Sequence, residues 1–509
     1  MPRIAALPAR SKAPHADTTS AKAGSTDRSD VGRIAAADTE GQGAPERHTP
    51  THCRDKHPLT DPHPAQPADR RPTRAPDDRP PIVFVHGNGD SAALWQSTLW
   101  RYESNGWPRD RLFAIDQPWP LARDDDAVPQ AGRSSTAESM AFLESEVDRV
   151  LKTTGAGQLV LVGNSRGGNT IRNYVQNGGG DRLVSHVVLG GVPAHGIWAV
   201  EGIGEGSEFS GRSPFLRQLN EPKGPNGDEV TPGPRWLTLR SDHNDLYAQP
   251  DGRWIGWPGH PTLIGFDGPA LKGATNLVLP GADHREVSFS AAAFAASWQF
   301  LTGAPPPIDA IAAEAGIVLD GCLTGFDPLE LDRNGEPAPT NLPLSGGQLA
   351  IYAVDGTTGM RRGGAVHHRV VGADGRWGPF TAARDTPYEF EITAPGCATT
   401  HIYRSPFPRS SAIVHLRPER LAPQGGVAGA IVVFSRPRGY FDAQRDTMHF
   451  DGNAQLPGVP PQGAGKSRST LELADGAQRT IAGEFNGQRV TGLVWPADQD
   501  HLSVLELTD

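Results

Sequence analysis

The chain has 509 residues, 37% of them hydrophobic, with 48 basic against 58 acidic side chains and a net charge of −10. It is too long for one ordinary core and long enough for two or three domains, and its acidic balance argues against an electrostatic nucleic-acid or membrane-surface binder. No apolar run approaches the ~20 residues a membrane helix needs, three cysteines exclude a disulfide framework or a cysteine-rich zinc module, and 60 glycines with 47 prolines announce much loop and turn.

Residues 1–80 are expected to be disordered, because they contain no Phe, Tyr or Trp and cannot bury enough apolar surface to offset chain entropy. The basic residues of Met1–Arg10 are followed by no apolar h-region, so no secretory signal is recognised. His48, His52, Cys53, His57 and His63 lack matched zinc spacing and read as scattered residues of a polar tail. Order is expected from Pro81. Ile82–Val85 is a short apolar run, read as a buried strand. A helix over Ser91–Asn105 and a strand at Leu112–Ile115 follow. Thr136–Lys152 is the clearest helix, with Ser135 and Glu138 as a capping box, apolar residues at helical spacing and Gly155 as its stop. Leu159–Val162 is a strand, then a Gly-rich elbow opens a helix carrying Ile171, Tyr174 and Val175. Val184–Leu189, Trp236–Leu239 and Leu277–Leu279 read as strands and Ala291–Leu301 as a closing helix. This alternation predicts an α/β domain over 81–303, a mostly parallel sheet covered on both faces. Beyond Pro305-Pro306-Pro307 the texture changes to short alternating runs, from Gln348–Val354 to Leu502–Leu507. They predict antiparallel β-sandwiches in two units, 304–420 and 421–509, with a break near Pro418–Pro423.

Gly163-Asn164-Ser165-Arg166-Gly167 is a G-x-S-x-G pattern between a strand and a helix, the setting a nucleophile elbow requires. A sharp turn there exposes the Ser165 hydroxyl, and glycines two residues to either side remove side chains that would clash as helix packs on strand. His86-Gly87-Asn88-Gly89 follows the first strand directly, where one backbone N–H can face an oxyanion; Asn88 is nominated for it and Arg166 N–H for the second donor. His86 itself is read as shaping the loop. Asp283-His284 ends the run Leu277–Ala282 ahead of a helix, the position of a general base reaching Ser165. The orienting acid should lie between them at a strand end. Asp245 is favoured and Asp242 is the rival, which gives the chain order Ser165, Asp245, His284. No metal or organic cofactor is needed by such a site, and Asp124-Asp125-Asp126 reads as a solvated loop without calcium-ligand spacing.

Val85-His86-Gly87-Asn88-Gly89, the elbow, and Gly281-Ala282-Asp283-His284-Arg285 together make residues 81–303 resemble an α/β-hydrolase of the bacterial lipase/esterase type. The stretches around Tyr388-Glu389-Phe390, Tyr403–Phe407 and Leu416–Leu421 are similar to the β-domain of archaeal long-chain lipases, which helps accommodate lipid. The elbow departs from the common lipase form at Asn164, where His is frequent, and at Arg166, where an apolar residue is usual; Arg166 is expected to put a cation near the acyl site. The resemblance implies an α/β-hydrolase fold followed by C-terminal all-β sandwich domains, and a carboxylic-ester hydrolase acting on acylglycerols or similar apolar esters. It implies a small-molecule or lipid ester as partner, with contact to a lipid interface through the β domains and none to nucleic acid. Two other readings are a polyester depolymerase, whose β-domains would grip polymer, and a catalytically silent lipid- or glycan-binding protein. Trp198–Pro234, inserted between two core strands, is read either as a lid presenting Trp198, Phe209 and Phe215 to an acyl chain or as an ordered loop that packs them inward.

Overall fold

The computed structural model describes residues 79–253, 259–331, 337–420 and 428–508. The readings of residues 1–78, including the His48–His63 tail and Cys53, and residues 421–423 of the break at Pro418–Pro423 lie outside the described residues. The first part is built on six strands: β1 (Ile82–Val85), β2 (Leu112–Ile115), β3 (Leu159–Asn164), β4 (Val184–Gly190), β5 (Arg235–Arg240) and β6 (Thr275–Val278). Their order in the sheet is β2-β1-β3-β4-β5-β6, and every neighbouring pair is parallel. Four helices cover it: α1 (Gln96–Ser104), α2 (Thr136–Thr154), α3 (Arg166–Asn177) and α4 (Ala291–Thr302).

Strand alternation explains the two layers. Val83 and Val85 of β1 point to the face where Leu143 and Val147 of α2 and Ile171 of α3 pack. Ile82 and Phe84 point to the other, against Trp95, Tyr102 of α1, and Phe294 and Trp298 of α4. Successive residues of an extended chain face opposite ways, so a strand buried on both sides must be apolar throughout. Helix α2 begins as its sequence dictates: Ser135 accepts from the Glu138 amide while the Glu138 carboxylate accepts from the Ser135 amide at 2.7 Å, and Gly155 ends it in the left-handed region. The expected helix over Ser91–Asn105 begins as a 3₁₀ turn, Ala92–Trp95, before α1. The strand expected at Leu277–Leu279 starts two residues earlier, as the exposed edge strand β6.

Downstream, seven strands share one sheet: β7 (Gln348–Ala353), β8 (His367–Val370), β9 (Tyr388–Thr393), β10 (Thr399–Arg404), β11 (Ala430–Ser435), β12 (Arg468–Leu473) and β13 (His501–Glu506). Their order is β8-β7-β9-β10-β13-β11-β12. Strands from before and after residue 420 therefore lie in one hydrogen-bonded ladder. The expected antiparallel pairing holds for most neighbours, but β13 runs parallel to both β10 and β11, so the sheet is mixed. One face buries Leu349, Phe390 and Ile402 together with Trp100 of α1, whose indole N–H donates to the Ser410 carbonyl at 2.8 Å. The other core collects Phe434, Phe441 and Phe485, the last from a three-stranded antiparallel sheet that includes Thr480–Phe485. Cys322 and Cys397 are both free thiols.

Candidate active site

The strand β3 turns into α3 at Ser165, whose backbone sits at φ 51°, ψ −126°. A side chain held at positive φ costs about 1–3 kcal/mol and persists only where the surroundings enforce it. Here they do. A Cβ on Gly163 would lie 2.9 Å from the Gly168 amide nitrogen, and one on Gly167 would lie 2.4 Å from the His86 carbonyl oxygen. Only glycine lets β3, α3 and the β1 loop meet this closely, and the Ser165 amide then donates to Gly190 O at 3.0 Å.

His284 lies in the loop after β6, before a short helix at Glu286–Phe289. Its Nδ1 donates to Asp245 Oδ1 at 2.8 Å, and both side chains are buried. Asp245 Oδ1 also accepts from the Tyr247 amide at 2.9 Å. Among the described residues His284 Nε2 has no hydrogen-bond partner. In the neutral tautomer that donates from Nδ1, the lone pair is on Nε2. The Tyr247 ring stands edge-on to the imidazole at 4.5 Å, and burial pushes its phenol up to about 12. Asp242, the rival acid, is committed elsewhere: it accepts from the Gly281 amide at 2.9 Å and pairs with His243 at 2.6 Å near the surface. The structure thus brings Asp245 to His284 and keeps Asp242 away.

Asn164 and the His284 loop are tied directly. Asn164 Nδ2 donates to Gly190 O at 3.1 Å, to His284 O at 3.1 Å and to Ser288 Oγ at 2.8 Å. The elbow residue that departs from the common lipase form is therefore a strut between the serine turn and the histidine loop. Sequence reasoning missed this role, although a fully buried amide before the serine needed such partners.

On the other side, Asn88 Oδ1 accepts from the Ala122 amide at 2.7 Å and the Gly89 amide donates to Pro120 O at 3.0 Å, which holds the loop after β1 in place. Gly89 takes φ +74°, a turn few other residues allow. The Arg166 amide, first in α3, has no intrahelical partner and lies at the positive end of the helix dipole. His86 shapes the loop, as expected: its Nε2 accepts from the Gln117 amide at 3.1 Å, its Nδ1 lies 2.8 Å from Gly87 O, and burial lowers its pKa.

The expectation that Arg166 places a cation at the acyl site needs correction. Its guanidinium is buried and engaged, with Glu208 Oε1 at 2.7 Å, Ser134 Oγ at 2.9 Å and Ser134 O at 2.7 Å. Glu208 belongs to the 198–234 insertion, and burial raises its pKa against the pull of Arg166. Trp198, Ile203 and Phe209 of that insertion cluster with Ile197 and Tyr247 from outside it, and Leu216 is fully buried. These apolar side chains pack inward as an ordered loop would.

Among the described residues one group carries a metal-type donor set, Glu389, Glu391 and His401. Arg361 fills it, donating to both Glu389 oxygens at 2.8 and 2.6 Å and to Glu391 at 2.5 Å. His401 is spent on Glu389 at 2.7 Å and on His501 at 2.8 Å. A cation would have to displace a bidentate arginine, so the donors do not fit a metal ion.

Residues 80–199 match the family model described as alpha/beta hydrolase fold. With the parallel sheet and elbow above, this defines the first part as an α/β-hydrolase domain. Residues 317–421 match the family model described as lipase C-terminal domain, so an α/β-hydrolase fold is followed by a match to a lipase C-terminal domain. Among solved structures, a Bacillus licheniformis lipase, BlEst2, in its mature form is similar at 20% identity and a TM-score of 0.33, over 46% of this chain and 96% of that one. Its propeptide form is similar at 13% identity and a TM-score of 0.34, over 83% and 95%. A Paleococcus ferrophilus monoacylglycerol lipase is similar at 15% identity and a TM-score of 0.29, over 44% and 96%.

Proposed function

We propose that this protein is a serine carboxylic-ester hydrolase cleaving acylglycerols or similar apolar esters. Ser165 is the nucleophile, His284 the general base and Asp245 the residue that orients and stabilises the imidazole. His284 Nε2 takes the Ser165 proton as Oγ attacks the ester carbonyl. The Asn88 and Arg166 amides hold the tetrahedral oxyanion, a contribution of ~3 kcal/mol per donor. The alcohol leaves with the proton from His284, and water, activated by the same nitrogen, releases the acid.

The observation that carries this reading is the buried His284–Asp245 contact of 2.8 Å, with the opposite imidazole nitrogen unpaired, in a loop that Asn164 binds to the serine elbow. Exposed Val366 and Val370, beside and on the edge strand β8, and Met360 in the turn before it are apolar side chains that a lipid surface could cover. No helix of the described residues is long and apolar enough to cross a membrane.

The test is turnover of emulsified triolein against polyester film by the full chain and by Ser165→Ala. Triolein hydrolysis by the wild type, lost about 10⁵-fold in the variant, is expected. Release from the film alone would favour a polyester depolymerase. No turnover of either would sink the proposal in favour of a silent binding protein, and equal turnover by Ser165→Ala would remove Ser165 as the nucleophile.

A further inference from the structure

The histidine loop is held from outside the hydrolase domain. Asp283, the residue before His284, is fully buried. Its Oδ1 accepts from the Arg285 and Glu286 amides, both at 2.8 Å, so this carboxylate folds the turn on which His284 stands. Its Oδ2 accepts from Arg436 Nη1 at 3.0 Å and from the Tyr440 amide at 2.8 Å. Arg436 follows β11 in the C-terminal part. Its guanidinium also donates to Glu286 Oε1 at 2.6 Å and to Tyr440 O at 2.6 Å, and it stacks over the Phe485 ring at 4.4 Å.

The same segment grips the acid loop. Asn244, next to Asp245, donates to Asp442 Oδ2 at 3.0 Å and to Gly281 O at 3.1 Å, and accepts from the Ala464 amide at 3.1 Å. Arg445 donates to Gly281 O at 2.8 Å and to Glu286 Oε1 at 3.0 Å. On the far side Arg285 pairs with Asp90 and donates to Pro437 O at 3.2 Å. Residues 436–446 therefore bracket both loops that supply the Asp245–His284 pair.

Without Arg436 the buried Asp283 carboxylate would keep its backbone amides but lose the cation that faces it, and the loop would answer by protonating the carboxyl or by opening it to water, either of which changes the hydrogen bonds that fold the His284 turn. The groups facing Asp283 agree: burial and the Glu286 charge push its carboxyl up to about 6, while Arg436 pulls the other way. We infer that Arg436 is a positioning residue for His284, and that the C-terminal part thereby completes the catalytic geometry for esters of every chain length. The inference rests on the proposed ester-hydrolase reading and deepens it.

The test compares full-length wild type, Ser165→Ala, Arg436→Met and Arg436→Lys on p-nitrophenyl butyrate and p-nitrophenyl palmitate, well below each variant's Tm. Arg436→Met is expected to lower kcat about 30-fold on both esters with KM within about threefold, since sub-ångström misplacement of a reacting group acts on the chemical step. Arg436→Lys, which keeps a cation on Asp283, is expected to regain about tenfold of that loss. Should Arg436→Met not fold, Arg436→Gln takes its place under the same thresholds. A kcat within twofold of wild type, or a loss confined to KM for the palmitate ester, would overturn the inference. Wild-type turnover that is lost in Ser165→Ala upholds the ester-hydrolase reading whatever Arg436 does, whereas no wild-type turnover would overturn both.

Discussion

Gly167→Ala isolates the contact between the elbow and the loop after β1. The added methyl would lie 2.4 Å from the His86 carbonyl oxygen and 2.7 Å from that of Val85, where ordinary contact begins near 3.4 Å. Both obstacles are backbone, so relief requires the two segments to part by about 1 Å in a close-packed interior. Asn88 is two residues beyond His86 and must move with it. Overpacking of this kind costs about 1–3 kcal/mol, offset by at most ~1 kcal/mol from the helix preference of alanine over glycine. Retreat of the proposed oxyanion donor, the Asn88 amide, would cost a further 10²–10³-fold in rate, about 2.7–4 kcal/mol. We expect kcat/KM on a short ester to fall about 10²-fold and Tm to fall by a few degrees. Gly157→Ala is the control, because no heavy atom lies within 4 Å of its added methyl; it should leave both quantities unchanged. A folded Gly167→Ala enzyme with kcat/KM within threefold of wild type would refute the reasoning.

Three further outcomes are expected. Asp245→Asn should lower kcat about 10³–10⁴-fold with little change in KM, while Asp242→Asn, whose carboxylate serves Gly281 and His243, should stay within about fivefold; equal losses in steady-state assays would show that the acid is misassigned. Glu208→Gln takes the counter-charge from the buried Arg166 guanidinium and should cost about 3–5 kcal/mol in urea unfolding, more than the paired change Glu208→Gln with Arg166→Met. Asp283 is held at about 6, above the ordinary 3.8, chiefly by burial. A raised carboxyl favours the folded state when protonated, so this contribution is complete below about 3.8 and is lost as pH rises through about 6. The stability of wild type relative to Asp283→Asn should therefore decline by about 1–3 kcal/mol between pH 4 and 7, and a rise over that range would contradict the assignment.

Much of this architecture was legible because it rests on local signals. The apolar runs of β1 and β3 mark strands buried on both faces, and Ser135, Glu138 and Gly155 fix both ends of α2 within a few residues. The elbow is legible for the same reason: its glycines answer to contacts made by the turn itself. Asp242 and Asp245 share one turn, and what separates them is the Gly281 amide, far along the chain. Arg166–Glu208 and Asp283–Arg436 were invisible, since a buried ion pair has no periodicity and either partner alone reads as a surface charge. The mixed sheet was hidden likewise. Alternation identifies β11 and β13 as strands but not β10, and nothing within them says that β13 inserts parallel between the other two.

In the proposed mechanism one serine hydroxyl is made nucleophilic by His284. The most direct measurement is labelling of the full chain with a fluorophosphonate, followed by peptide mass mapping, in wild type and His284→Ala. A single adduct on Ser165 is predicted, formed at least 10²-fold more slowly without the imidazole. An adduct on another residue, or none in a protein that still hydrolyses esters, would contradict it.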